Sequence, residues 1–225
     1  MEKLIRGLLE FRRTKLPELL PRLQSLAERQ TPKTLFMTCS DSRVVPNLMV
    51  STEPGDLFVS RTVGNLVPPA DAAGASTGDL AEAACIEFAL HVLQVDDVIV
   101  CGHSRCGAMR ALLEPPTPAA KLPHLLAWLE LGRPSLDRMR AMTTLDPALP
   151  AYDQVSQANV LTQIDNVLSY PQIRERVEKH DIGIHAWWWD IATGDLYIYD
   201  RDAHRFELID ERIAERMLQR RSWSP

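Results

Sequence analysis

Two short stretches of this 225-residue chain concentrate the residue types that do metal and acid–base chemistry. One is C-S-D-S-R at 39–43 and the other is C-G-H-S-R-C-G at 101–107. Cys39, His103 and Cys106 are soft and borderline ligands. His103 and Cys106 stand three apart, a spacing that a tight turn or a helix start aims at one point. Two thiolates and one imidazole suit zinc, and three protein ligands with an open fourth position is the catalytic pattern. The competing reading is of buried thiols and a packed histidine, because cysteine is commonly a small core residue. The redox spacing C-x-x-C is absent. Cys85 and Cys101 read as core residues, the first on a helix and the second ending a buried strand.

The elements around these clusters decide between the two readings. Thr34–Thr38 reads as a short buried strand that ends at Cys39, and Val98–Cys101 as a continuous apolar strand that ends at Gly102-His103. Leu57–Ser60 is a further strand. Helices are expected over Asp79–Leu93 and Ala108–Leu113, and much of Leu122–Lys179 reads as helical with proline breaks. Ile182–Trp189 and Leu196–Tyr199 read as a hairpin about Thr193-Gly194-Asp195, with a possible further strand over His204–Ile209 and a last helix from about Glu211 to Arg220. Apolar strands separated by helices predict an α/β fold with a central, mostly parallel sheet flanked by helices. In such sheets the ligand site lies beyond the carboxyl ends of the strands. Both clusters fall there, which favours the metal.

The first thirty residues carry leucines at helical spacing, with Pro17 and Pro21 breaking or kinking them. This N-terminal helical arm has two apolar stripes, and packing on a partner subunit is expected. The rest of 1–225 reads as a single domain, with the Pro-rich piece Glu114–Pro118 a surface connector. Twenty-five Lys plus Arg against thirty Asp plus Glu leave a net charge of −5. That balance makes a nucleic-acid partner improbable, since phosphate binding needs an excess of cations. No apolar run is long enough to span a membrane. The opening residues lack a signal-peptide core, so a cytoplasmic setting with reduced thiols is expected.

The paired clusters resemble those of the β-class carbonic anhydrases. E-P-G-D-L-F-V-S-R-T-V-G-N-L-V-P-P at 53–69 is similar to the family's segment between its two metal clusters, and G-I-H-A-W-W-W-D at 183–190 to a late strand. The likeness covers roughly Gln30–Asp200 and is nearest the plant-like and bacterial cyanate-associated members. It implies one Zn²⁺ per chain on Cys39, His103 and Cys106, and a catalytic pair at Asp41 and Arg43. It also implies a substrate pocket at Gln30, Phe58, Val63 and Phe88, partly supplied by a second subunit of a dimer or higher homo-oligomer. Phe88 stands where many relatives have Tyr. A regulatory bicarbonate site of another subgroup is not expected, because Phe36 and Trp189 replace its Trp and Tyr and only Arg61 matches.

The reaction implied is reversible hydration of carbon dioxide to bicarbonate and a proton. Zinc with two thiolates and a neutral imidazole has no net formal charge, so Arg43 is expected to compensate. Arg43 can grip the Asp41 carboxylate and keep it ionised, facing the open position. Released, Asp41 becomes a possible fourth zinc ligand in a closed state. His91, one helical turn after Phe88, is a candidate proton shuttle. Hydrolysis of carbon disulfide or carbonyl sulfide on the same scaffold remains open, as does a non-catalytic zinc-binding relative.

Overall fold

A computed structural model describes residues 1–116 and 121–219. Residues 117–118 of the expected connector and residue 220 of the expected last helix lie outside them. Six strands form one sheet: β1 (Thr34–Cys39), β2 (Leu57–Thr62), β3 (Asp97–His103), β4 (Gly183–Asp190), β5 (Asp195–Asp200) and β6 (Arg205–Leu208). Their spatial order is β2-β1-β3-β4-β5-β6. The first four run parallel, and β5 and β6 return antiparallel. Parallel neighbours need crossovers, and the helices supply them.

The helices are α1 (Glu2–Thr14), α2 (Leu16–Leu26), α3 (Pro46–Met49), α4 (Leu80–Glu87), α5 (Gly107–Leu113), α6 (Pro123–Leu129), α7 (Pro134–Ala141), α8 (Ala151–Ser169), α9 (Pro171–Glu178) and α10 (Glu211–Gln219). α4 continues as a π-type segment over Phe88–Leu93, so the helix expected over 79–93 is present but not regular throughout. The arm breaks at Lys15 rather than at its prolines. Pro17 sits in the first turn of α2, where no N–H is missed, and Pro21 is accommodated inside that helix.

One face of the sheet carries Leu35, Met37, Val98, Val100, Ile184, Ala186 and Trp188 into a core closed by α4, α8 and α9. The opposite face is thinner, with Phe36, Ile99 and Cys101 buried and Trp187 and Trp189 only half-buried. Burial on both faces is why β1 and β3 read as unbroken apolar runs. α8 crosses close behind β3: a Cβ on Gly102 would lie 2.6 Å from Val160 Cγ2, so glycine lets the two approach. α1 buries no residue, and Leu4, Leu8 and Leu9 are more than half exposed. Among the described residues no helix is long and apolar enough to cross a membrane.

Candidate metal centre

β1 and β3 are neighbours and end together, Thr38 opposite Cys101, so Cys39 and His103 emerge side by side. A two-residue turn follows His103. Its second residue, Arg105, adopts a left-handed conformation (φ +56°), and Cys106 then caps α5. The turn is pinned on several sides. Ser104 N–H donates to Trp189 O at 2.8 Å, and Ser104 Oγ donates to Asp190 at 2.9 Å. Arg105 N–H donates to the buried Asp153 carboxylate at 2.5 Å. Ser156 Oγ donates to His103 O at 2.8 Å.

These constraints bring one ligand atom from each of Cys39, His103 and Cys106 within 4.8 Å of one another, all three residues buried. One ion with bonds of about 2.0–2.3 Å can be shared at such separations. His103 Nδ1 lies 2.8 Å from Ser104 O. A carbonyl can only accept, so Nδ1 carries the proton and Nε2 presents its lone pair. That Nε2 is buried and has no hydrogen-bond partner among the described residues. An orphaned acceptor between two thiols fits a soft divalent cation such as zinc.

One of the two thiols is already polarised towards binding. The Cys39 thiol is lowered to about 4, first by the hydrogen bond from Cys106 and then by His103, against the opposing effect of burial. Cys106 is pushed up by the same bond, because the pair shares one proton. Gly64 N–H donates to Cys39 Sγ at 3.3 Å. Burial pushes Cys85 up to about 11 and raises Cys101 further, which suits neutral core thiols, as their positions predicted.

Asp41 stands beside this group. Its Oδ2 lies 4.0 Å from His103 Nε2. Arg43 holds the carboxylate in a fork, Nε to Oδ1 at 2.9 Å and Nη2 to Oδ2 at 2.8 Å, with Arg43 N–H also on Oδ1 at 2.9 Å. That grip holds Asp41 well below the usual carboxylate range. Arg43 also reaches Arg105 O at 3.2 Å, tying the two cluster loops together. Arg61 donates to Cys39 O at 3.2 Å and Asp41 O at 2.7 Å, bracing the first loop from β2.

The expected pocket residues separate into two places. Val63 adjoins the centre, next to Gly64, with its carbonyl fixed by Trp128 Nε1 at 2.8 Å. Phe58 and Phe88 form a ring pair with centroids 5.6 Å apart. In the β1–β2 register, however, Phe58 pairs with Leu35, whereas Cys39 pairs with Thr62. Four residues of strand place Phe58 about 13 Å from the ligand end. Gln30 is exposed just before β1, at that same far end of the sheet. His91 is exposed one turn beyond Phe88, on the segment that leads down to the start of β3. The structure does not bring Gln30, Phe58, Phe88 or His91 to the ligands of their own chain.

A carbonic anhydrase family profile matches residues 34–196, which span both clusters and four of the six strands in full. The chain belongs to the β-class carbonic anhydrase family. It is 36% identical to a carbonic anhydrase of Helicobacter pylori strain J99, over 94% of this chain and 96% of that one. A solved structure of the β-carbonic anhydrase CcaA superposes with a TM-score of 0.81 at 37% identity, covering 94% of this chain and 93% of the other. Two β-carbonic anhydrases of the ascomycete Sordaria macrospora were solved as tetramers; the structure compared has a TM-score of 0.67 at 26% identity, covering 88% and 92%.

Several residues that build this β-carbonic anhydrase centre carry no motif. Asp153, Ser156 and Asn159 are marked by neither spacing nor type. Their signal is that α8 puts polar side chains at 156, 159 and 163, helical neighbours on a face that packs into the core.

Proposed function

We propose that this protein catalyses the reversible hydration of carbon dioxide to bicarbonate with one zinc ion per chain, on Cys39, His103 and Cys106. The observation that carries this is the buried, unpartnered His103 Nε2 between two thiols, with an Arg-held carboxylate 4.0 Å away. Zinc bound there would act as the Lewis acid that makes water nucleophilic near neutral pH, chemistry for which carbonic anhydrase is itself the standard instance. Asp41, kept ionised by Arg43, accepts a hydrogen bond at Oδ2 from the attacking water. It thereby turns an oxygen lone pair towards carbon dioxide. Val63 supplies an apolar wall suited to that small apolar substrate.

The remaining pocket residues act across a dimer in this reading. Phe58, Phe88 and Gln30 lie too far from the ligands of their own chain to line its site, so they complete the site of a second copy. Support comes from the arm. The exposed stripe of Leu4, Leu8 and Leu9 and the half-buried Trp187 and Trp189 each need a cover that one chain does not provide. The tetrameric Sordaria relatives are consistent with association through such surfaces. His91 would serve as a proton relay only in the partner's site. The described residues form one catalytic unit with its arm. An Asp41–Arg43 pair already set in an open arrangement favours catalysis over a purely structural zinc.

Stopped-flow carbon dioxide hydration with a pH indicator, before and after zinc chelation, tests the activity. Activity that disappears on chelation and returns with zinc is expected. Cys39→Ala should lose both zinc and turnover, because two ligands hold the ion poorly. Full zinc occupancy in Cys39→Ala would overturn the ligand assignment.

A further inference from the structure

Behind the metal centre, α8 carries a run of buried amides that supplies no ligand. Asn159 and Gln163 are fully buried, as is Ser135 on α7. Asn159 Oδ1 accepts from Ser135 Oγ at 3.0 Å and from Gln163 Nε2 at 2.9 Å. Its Nδ2 must therefore face outward, and it donates to Gly64 O at 3.0 Å. Gln163 Oε1 accepts from Val67 N–H at 2.9 Å and from Asn166 Nδ2 at 3.0 Å. Asn166 Nδ2 also reaches Val67 O at 2.8 Å. Every amide orientation is fixed by its neighbours, and the whole ladder grips one short segment, 64–67.

Thr62 Oγ1 also donates to Leu66 O at 2.9 Å, and Leu66 and Val67 are buried, but the turn at the start of the segment is unusual. Gly64 and Asn65 are both left-handed, with φ +74° and +47°. The second is costly for a residue with a side chain, and such a conformation persists only where its surroundings impose it. A Cβ on Gly64 would also lie 2.8 Å from Ala108 Cβ. The outcome of this conformation is the Gly64 N–H directed at Cys39 Sγ, at 3.3 Å. A buried polar ladder in an apolar core is expensive unless it is satisfied, and here the backbone groups its amide side chains bond all fall on that segment.

We propose that Asn159, Gln163 and Asn166 are positioning residues that set the Gly64 N–H on the Cys39 sulfur, so that α8 tunes the donor strength of a metal-binding thiolate. This rests on the reading of Cys39 as a zinc ligand. An N–H···S bond draws charge from the sulfur and makes it a weaker donor. Without the ladder, the 64–67 segment relaxes, the bond lengthens, and the thiolate donates more strongly.

Cobalt(II) substitution reads this directly through the sulfur-to-cobalt charge-transfer band. Asn159→Ala, with one equivalent of cobalt(II) bound, is expected to show the band at longer wavelength than wild type. Its zinc form should lose about tenfold in kcat/KM, as is usual for outer-shell partners of a metal ligand. Asn166→Ala, at the half-buried end of the ladder, should shift the band the same way by less. Ser135→Ala removes a buried hydrogen bond to Asn159 without touching 64–67, and should lower the melting temperature while leaving the band in place. An unmoved band in Asn159→Ala overturns the proposal, as does an unmoved band in Asn166→Ala should Asn159→Ala fail to fold. So does an equal shift in Ser135→Ala, which would mean a general loosening of the core. If wild type binds no cobalt(II), or its zinc form leaves carbon dioxide unhydrated, the functional reading falls and the ladder proposal falls with it.

Discussion

Arg43 and Asp41 form the contact on which the proposed chemistry turns. The fork lowers the Asp41 carboxyl, so its contribution to stability is present above the unfolded value near 3.8 and is lost as pH falls below it. Arg43→Ala frees Asp41 to approach the metal centre. The expected result is at least a tenfold fall in kcat, about 1.4 kcal/mol, with a four-ligand zinc by X-ray absorption. An open zinc with wild-type turnover in that variant would reduce the pair to a salt bridge. Glu82 gives the opposite pH sign. It is buried against Ser60 Oγ at 2.8 Å, and burial raises its carboxyl, with Asp79 adding to the effect. The native state therefore holds a proton that the unfolded chain releases, and stability falls as pH rises above about 4.5. Glu82→Gln keeps an acceptor for Ser60 and removes the charge. Its melting temperature should exceed that of wild type at pH 7 and match it more closely at pH 4.5.

Among the elements, the packing of β3 on α8 matters most, because one carries His103 and the other carries the residues that hold it. Gly102 permits that approach. Gly102→Ala should cost about 1–3 kcal/mol through overpacking against Val160, measured by denaturant unfolding of the metal-free protein. Val160→Ala removes the clashing methyl groups, so the double variant should be more stable than the sum of the two single changes predicts. Additive losses would show that the helix can shift away instead. The two cluster loops were legible because they carry residue types that bind metals, whereas the ladder of α8 was not, since Asn, Gln and Ser at helical spacing also describe a solvated face.

For the whole molecule, the decisive question is whether a site draws on two chains. Mixed dimers answer it. A Cys39→Ala chain keeps its Phe88 but lacks a metal site, and a Phe88→Asp chain keeps its ligands but spoils the partner's pocket. Each homodimer should be inactive, while co-expressed mixtures should recover one working site per mixed dimer. No recovery would mean that Phe88 serves the site of its own chain, and an active Phe88→Asp homodimer would place it outside the catalytic pocket. The arm should matter at the same scale. Leu4→Asp with Leu8→Asp charges an exposed apolar stripe, and sedimentation velocity should then show dissociation towards monomer with a parallel loss of activity.

Residue types and spacing alone pointed to Cys39, His103 and Cys106 as a ligand set and to the strands that end there, and the family resemblance implied the Asp–Arg pair beside it. These follow from local chemistry: which atoms bind a soft cation, and which runs are apolar enough to lie inside a sheet. Only the tertiary structure decided that Phe58 sits about 13 Å from the ligand end of its own chain's sheet, with Phe88 packed on it, because strand register is set by pairing across the sheet. It likewise decided that Arg61 braces backbone carbonyls and that a helix without ligands reaches Cys39 through Gly64. Such contacts join residues far apart in the chain, and hydrogen-bond partners at that range leave no periodicity to read.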